Sequence, residues 1–274
     1  MSMHILYYTD LHGCAWKYDA ALDAAKALKA EVVVNGGDLY PKNVDDLMEQ
    51  RFFLKFLDEH FSKYARAGIA YLLMPGNDDL AIFDDRLDEA CRRHENVHCI
   101  AQRKVSIGGH DFIGFNWVKD YPFRLKDRCR LDYESCPLDR QLGTGLLSTT
   151  NGLSEIDDWF SHVSQLPTLK DELAKLPSPK DPSKTILVTH MPPSRLGLDV
   201  CSGGQAVGSD SIRLYVLKTQ PLLSLHGHIH ESPWVSQGWM APLGRTTCIQ
   251  PGQMSNLCYV MIDTDNMAIE RIEK

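Results

Sequence analysis

No apolar run in this 274-residue chain is long enough to span a bilayer, so a transmembrane helix is not expected, and neither is a membrane partner. No cysteine has a second one three positions away. The eight (Cys14, Cys91, Cys99, Cys129, Cys136, Cys201, Cys248, Cys258) are scattered, which argues against a zinc–thiolate site. Reduced thiols in a cytoplasmic protein are the expectation. Positive charge is not in excess: 29 Lys and Arg face 36 Asp and Glu, a net charge of −7. Proteins that grip long nucleic acid usually present a basic surface, so extended DNA or RNA is disfavoured as a partner. Nucleotides and short oligonucleotides stay open, because a metal centre can supply positive charge locally. Repeats and low-complexity tracts are missing too. With 43% hydrophobic and 24% charged residues the composition is globular, which sets disorder, coiled coil and collagen aside. Met1-Ser2-Met3 leads straight into an apolar run, so no leader segment is expected.

That run, His4 to Tyr8, reads as a strand. A helical pattern follows over 17–29, with Ala21, Leu22, Ala25 and Leu28 on one face. Val32-Val33-Val34 marks a buried strand, 46–67 a long amphipathic helix and 69–74 the next strand. The β-α-β-α-β order predicts parallel strands with helices on their faces. Short strands then crowd the chain at 97–100, 104–107 and 111–115, and again at 185–189, 222–226, 246–250, 257–263 and 267–272. Together these predict a second, partly antiparallel sheet packed on the first. Residues 117–152 show no period and hold two prolines and three glycines, the mark of a long functional loop. Ser154 is the predicted cap of a helix reaching Gln165, with a second short helix ending near Leu176; Ser209 caps another over 210–220.

Five strands run into groups that bind metals. The sequences are Asp10-Leu11-His12, Gly36-Gly37-Asp38, Gly76-Asn77-Asp78-Asp79, Thr189-His190 and Gly227-His228-Ile229-His230. Parallel sheets gather functional groups at these carboxyl ends. In extended chain, residues i and i+2 project to one side, so Asp10 with His12, and His228 with His230, are each expected to converge. The glycines permit tight turns and close approach beside a buried ion. A donor set of imidazole, carboxylate and carboxamide, without thiolate, suits Mn, Fe or Zn. Each piece alone has a bland reading as a turn or a surface motif. Five in one order, each at a strand end, do not.

The ordered set resembles the calcineurin-like metallophosphoesterases, whose motifs are D-x-H, G-D-x-x, G-N-H-[DE], a lone His after a strand, and G-H-x-H. The resemblance runs from Asp10 to His230. It implies one domain over 1–274 with a loop insertion near 117–152. The implied fold is α/β, a four-layer αββα sandwich of two mixed sheets flanked by helices. It also implies a two-metal site, the first ion held by Asp10, His12 and His230 and the second by Asn77, His190 and His228, with Asp38 bridging. The implied activity is hydrolysis of a small phosphoester or nucleotide-like substrate by metal-activated water.

One position departs from the pattern. Where the family commonly has a histidine after the asparagine, this chain has Asp78. Three roles are open to it: a helix cap near Leu80, a group orienting the attacking water, or the sign of a weakened catalyst kept as a metal-binding scaffold or regulator. The missing histidine favours diesters, which carry less charge and need less acid assistance with good leaving groups. Protein phosphatase and nuclease activities are further alternatives. Tyr40, two residues past Asp38, and Arg195, five past His190, are candidate substrate contacts. His226 shares the parity of His228 and His230, and is read as either a packed strand residue or a support to the ligands. Trp117, Tyr121, Phe123 and Arg124 could stack on a base or aryl group, or form a satellite core.

Overall fold

A strand of apolar residues has no face to offer water, and Val32–Asn35 is buried throughout, as parallel strands covered on both sides are. The computed structural model describes residues 3–42 and 47–274. In chain order they form β1 (His4–Tyr8), α1 (Ala15–Ala27), β2 (Val32–Asn35), α2 (Leu47–Ala67), β3 (Ala70–Leu73), α3 (Asp84–Arg92) and β4 (Val97–Cys99). Then come β5 (Lys104–Ile107), β6 (His110–Phe115), β7 (Val118–Lys119), β8 (Cys129–Arg130), β9 (Gly145–Thr149), β10 (Gly152–Ile156), α4 (Trp159–Val163) and α5 (Leu169–Ala174). The last stretch holds β11 (Thr185–Thr189), α6 (Asp210–Thr219), β12 (Leu223–His226), α7 (Ser232–Ser236), β13 (Met240–Leu243), β14 (Thr246–Ile249), β15 (Cys258–Asp263) and β16 (Ile269–Glu273).

Two six-stranded mixed sheets result, ordered β16-β15-β1-β2-β3-β4 and β13-β14-β12-β11-β6-β5. Strands β1 to β4 run parallel, as do β6, β11, β12 and β14, and the antiparallel pairs sit toward the edges. The period-2 alternation of each strand splits the core in three. Leu6, Tyr8, Val33, Tyr71 and Leu73 face outward onto α1, α2 and α3. Ile5, Tyr7, Val32, Val34 and Leu72 face inward and meet Phe112, Ile186, Val188, Leu223 and Leu225 of the other sheet. On the far side, Ile113, Phe115 and Leu187 pack on Trp159, Leu169, Leu173, Ile212 and Val216 of α4, α5 and α6. Helix, sheet, sheet, helix: the four layers expected are present.

The assignment of later strands to the second sheet needs correction. β4 joins the first sheet beside β3, and β15 and β16 return to its other edge, with β15 pairing antiparallel to β1 from His4↔Asp263 to Tyr7↔Val260. The segment 117–152 is not a bare loop, since β7 pairs with β8 and β9 makes a hairpin with β10. Ser154 caps nothing; it lies in β10 opposite Leu147. The helix begins later, at Trp159, where Asp158 accepts the Ser161 N–H at 3.0 Å. Ser209 does cap α6, accepting the Ile212 N–H at 3.0 Å. The first residue of the predicted 46–67 helix lies outside the described residues.

Candidate metal centre

The parallel strands β1, β2, β3, β11 and β12 end side by side, Tyr8 opposite Asn35, Asn35 opposite Leu73, and Thr189 opposite His226. One to four residues beyond each end stand Asp10 and His12, Asp38, Asn77, His190, and His228 and His230. The structure brings these seven side chains together across the seam of the two sheets. Ligand atoms of Asp10, His12, Asp38 and His230 all lie within 4.8 Å of one another. His12 Nε2 is 2.9 Å from His230 Nε2. Beside this group, Asn77 Oδ1 lies between His190 Nε2 at 2.8 Å and His228 Nδ1 at 2.5 Å. Asp38 Oδ2 reaches both sides, 3.6 Å from His12 Nε2 and 3.5 Å from His190 Nε2.

These atoms fit metal ions. Two buried carboxylates, four imidazoles and a carboxamide oxygen point their acceptors into one space. His190 Nδ1 is 2.9 Å from the Gly36 carbonyl, the orienting contact that leaves Nε2 turned to a ligand position. The His228 N–H donates to both oxygens of Asp10, at 3.0 and 3.1 Å, and the Asp78 N–H to Asp38 Oδ1 at 2.9 Å.

The backbone that achieves this is strained. Asp10, His12, Asp38 and His228 have φ of 58°, 43°, 54° and 71°, in the left-handed region that costs a non-glycine residue on the order of 1–3 kcal/mol. The extended-chain argument for i and i+2 convergence is therefore corrected. Asp10 and His12 meet through a left-handed turn, while His228 and His230 diverge, one to Asn77 and the other to His12. Gly76 lies so close to Asp38 that a Cβ on it would fall 2.2 Å from Oδ1 and 2.3 Å from the Asp38 nitrogen.

Supports come from Asp79, the last residue of the third motif, and from Arg128 and Gln50, where the sequence showed no signal. The carboxylate of Asp79, fully buried, accepts from the N–H groups of Leu39, Tyr40 and Gly76 at 2.7–2.8 Å, tying the second and third ligand loops together. Buried Arg128 donates to the Gly76 and Asp79 carbonyls and pairs with Asp84 at 2.7 Å. Gln50 of α2 donates to the carbonyls of Pro41 and Asp78 and accepts the Leu80 N–H. Only Asp79 left a trace, as the second carboxylate of an Asp-Asp pair.

Charge follows burial. Burial pushes His12 down to about 4 and His228 down to about 3, and lowers His230, so all three are neutral donors near pH 7. Burial also opposes a charge on His190, but Asp38 and Asp10 overcome it and raise it to about 9. Burial would raise Asp38, yet His190 and His12 hold it well below the carboxylate range. Burial wins at Asp10, which is raised.

Asp78 is not a cap. The 3₁₀ turn Ala81–Phe83 has no side-chain cap, and the Asp78 carboxylate turns inward, Oδ2 3.9 Å from His12 Nδ1 and 3.5 Å from Lys42 Nζ. Burial and Asp38 push it up to about 7, against the pull of Lys42. Tyr40 does not line the cleft: its ring is buried against Phe53 and Phe83, because the residue past Asp38 turns into the α2 layer. The guanidinium of Arg195 is exposed and 3.4 Å from Asp210 at the start of α6, turned to that carboxylate rather than to the seven ligands. His226 is a packed residue: it is buried, pushed down to about 3 by that burial, with Nδ1 2.8 Å from Thr189 Oγ1. Of the loop aromatics, Tyr121 stands edge-on to His228 with ring centres 5.7 Å apart, and exposed Phe123 follows at 5.9 Å from Tyr121. Trp117 lies instead under the Arg130 guanidinium, 3.8 Å away, and Arg124 pairs with Glu155.

The family model for calcineurin-like phosphoesterases matches residues 3–232. No curated protein sequence matches the chain. Among solved structures, TT1561 of Thermus thermophilus superposes with a TM-score of 0.60 at 17% identity, over 100% of this chain and 99% of that one. An archaeal phosphodiesterase gives 0.50 at 13% identity, covering 99% and 100%. A dimetal phosphatase from Danio rerio gives 0.50 at 10%, covering 99% and 98%. At these identities the likeness is one of fold.

Proposed function

The chain belongs to the calcineurin-like phosphoesterase family, and from that premise we propose that it hydrolyses phosphate esters at a pair of metal ions, diesters in preference to monoesters. The observation that carries the two-ion reading is the division of the ligand cluster. Asp10, His12 and His230 form one group, Asn77, His190 and His228 another, and Asp38 lies within reach of both. In this reading each group would hold one ion and Asp38 would serve both. Mn, Fe or Zn suits these donors. Ions bound there would supply charge neutralisation for the phosphate and an activated water near neutral pH.

The chain's own groups do the rest. The His228 N–H fixes the Asp10 carboxylate, and the Gly36 carbonyl fixes His190. Asn77 adds a donor without adding charge, which limits repulsion of an anionic substrate. The diester preference rests on the absence of a histidine at position 78, because a diester carries less charge and, with a good leaving group, needs less acid assistance. Exposed Phe123, next to the Tyr121 ring that packs on His228, supports a nucleotide-like or aryl ester as substrate.

Reconstitution with Mn, metal counting and a matched pair of aryl substrates test the reading. Two ions per chain and a higher kcat/KM for bis(p-nitrophenyl) phosphate than for p-nitrophenyl phosphate are expected. One ion per chain removes the dinuclear centre, and a faster monoester reverses the preference. Asp78 in place of histidine also supports a second reading, a silent metal-binding scaffold. Two bound ions without hydrolysis across a broad ester panel, and activity gained by Asp78→His, would favour that reading instead.

A further inference from the structure

Lys42 is the cation that comes to the mouth of this centre, four residues after Asp38 and just before a stretch outside the described residues. Its ammonium lies 3.5 Å from Asp78 Oδ2, and its charge acts on His12, His228 and His230 as well as on Asp78. Its partner Asp78 Oδ2 is itself 3.9 Å from His12 Nδ1, so the ammonium stands at the edge of the ligand cluster. Yet it is 63% exposed, so the ammonium keeps open donors toward an entering molecule while Asp78 takes one.

The juxtaposition is built. The side-chain amide of Gln50, fully buried, donates to the carbonyl of Pro41, at 3.2 Å, and to that of Asp78, at 2.8 Å. One group thus holds the backbone next to Lys42 and the backbone of Asp78 at a set distance. Asp78 is held a second time through its N–H on Asp38. The Asp78 carboxylate accepts from the Asn77 side-chain amide at 2.9 Å within the ligand cluster, and the lysine is paired with that carboxylate.

We infer that Lys42, positioned by Asp78, binds a non-bridging oxygen of the substrate's phosphate. The inference rests on the proposed phosphoesterase reading and makes Asp78 the anchor of a cation, the pair together adding no net charge to the rim. An ammonium–phosphate contact is a charge-assisted hydrogen bond, stronger than a neutral one.

The test is calorimetric binding of inorganic phosphate to the metal-loaded protein, alongside diester kinetics, for wild type, Lys42→Gln and Lys42→Arg. Lys42→Gln should weaken phosphate binding and raise KM by roughly tenfold, in the range of a lost charged hydrogen bond, with metal content unchanged. Lys42→Arg should restore most of both. Wild-type phosphate affinity should fall with added salt, and Lys42→Gln should flatten that dependence. If Lys42→Gln binds phosphate as wild type does, Lys42 has no such role, while the proposed function stands. If wild type takes up no metal, the proposed function falls first, and Lys42's role with it.

Discussion

Asp38 is the side chain on which both halves of the ligand cluster depend, so its removal should cost more than that of any terminal ligand. Asp38→Asn keeps the shape and removes the charge; metal analysis should show both ions lost, whereas His230→Ala should lose one. Protonation makes a second prediction at this scale. His190 is raised to about 9, so in the metal-free protein it is charged at pH 7, and a metal must displace that proton. Calorimetry in buffers of different ionisation enthalpy should detect proton release, and affinity should climb as pH rises toward 9. The stability of the metal-free protein runs the other way. A folded pKa above the ordinary 6.5 contributes stability that is whole below about 6.5 and is lost as pH rises through about 9. Asp38, held low by His190 and His12, contributes above the ordinary carboxylate range and loses its share as pH falls through its depressed value. His190→Asn should flatten the alkaline limb of a melting-temperature profile. The donor types at the strand ends were legible because metal chemistry selects few residues. Tyr40 and Arg195 were not, because proximity in sequence to a ligand says nothing of which way the chain turns next.

At the scale of the element, the loops matter more than the strands. The Gly76-Asn77 loop is held from three directions, by Asp79, Arg128 and the approach of Asp38. Gly76→Ala should therefore abolish metal uptake, since its Cβ meets Asp38 backbone and side chain and one of them must move. Far-ultraviolet circular dichroism should stay unchanged while metal content falls. The segment after β6 has its own anchor in Lys126, fully buried, with Nζ 2.9 Å from Asp120 Oδ1, an oxygen that also accepts the Trp159 indole N–H at 2.9 Å. Lys126→Met should destabilise by about 3–5 kcal/mol, the usual result of leaving a buried charge unpaired, and Lys126→Met with Asp120→Leu should recover much of it. Chemical denaturation of the single and double variants checks this. Such anchors were hidden from the sequence because their partners lie on separate elements. The strands themselves were visible in their alternation and β-branched runs. The placing of β4, β15 and β16 was not, since pairing is decided between segments up to the whole chain apart. Ser154 misled because a hydroxyl before an acidic residue is also an ordinary strand pair.

For the whole molecule, the ligands divide between the sheets: Asp10, His12, Asp38 and Asn77 follow strands of one, His190, His228 and His230 the other. Metal held by these residues would therefore tie two layers that otherwise meet through apolar side chains. At a thousandfold excess over its dissociation constant, a ligand specific to the folded state adds about 4 kcal/mol. For a chain of this size that is on the order of 10 °C in melting temperature. Chelation should lower the thermal transition by that amount, and re-addition of metal should restore it. No helix among the described residues is long and apolar enough to cross a membrane, and all eight cysteines are free.

Each candidate ligand stands one to four residues beyond a strand whose side chains are locked into the core, and the chain past it soon returns to the core, at Leu39 and Tyr40, at Leu80 and Phe83, and at Met191 and Leu198. Each ligand loop is thus pinned on both sides. Wholesale exchange of the stretches after Asp38, Asn77 or His190 would therefore disturb buried packing along with the site. Substrate preference could drift only through substitutions that leave those buried residues in place, and these are where a new specificity is best grafted.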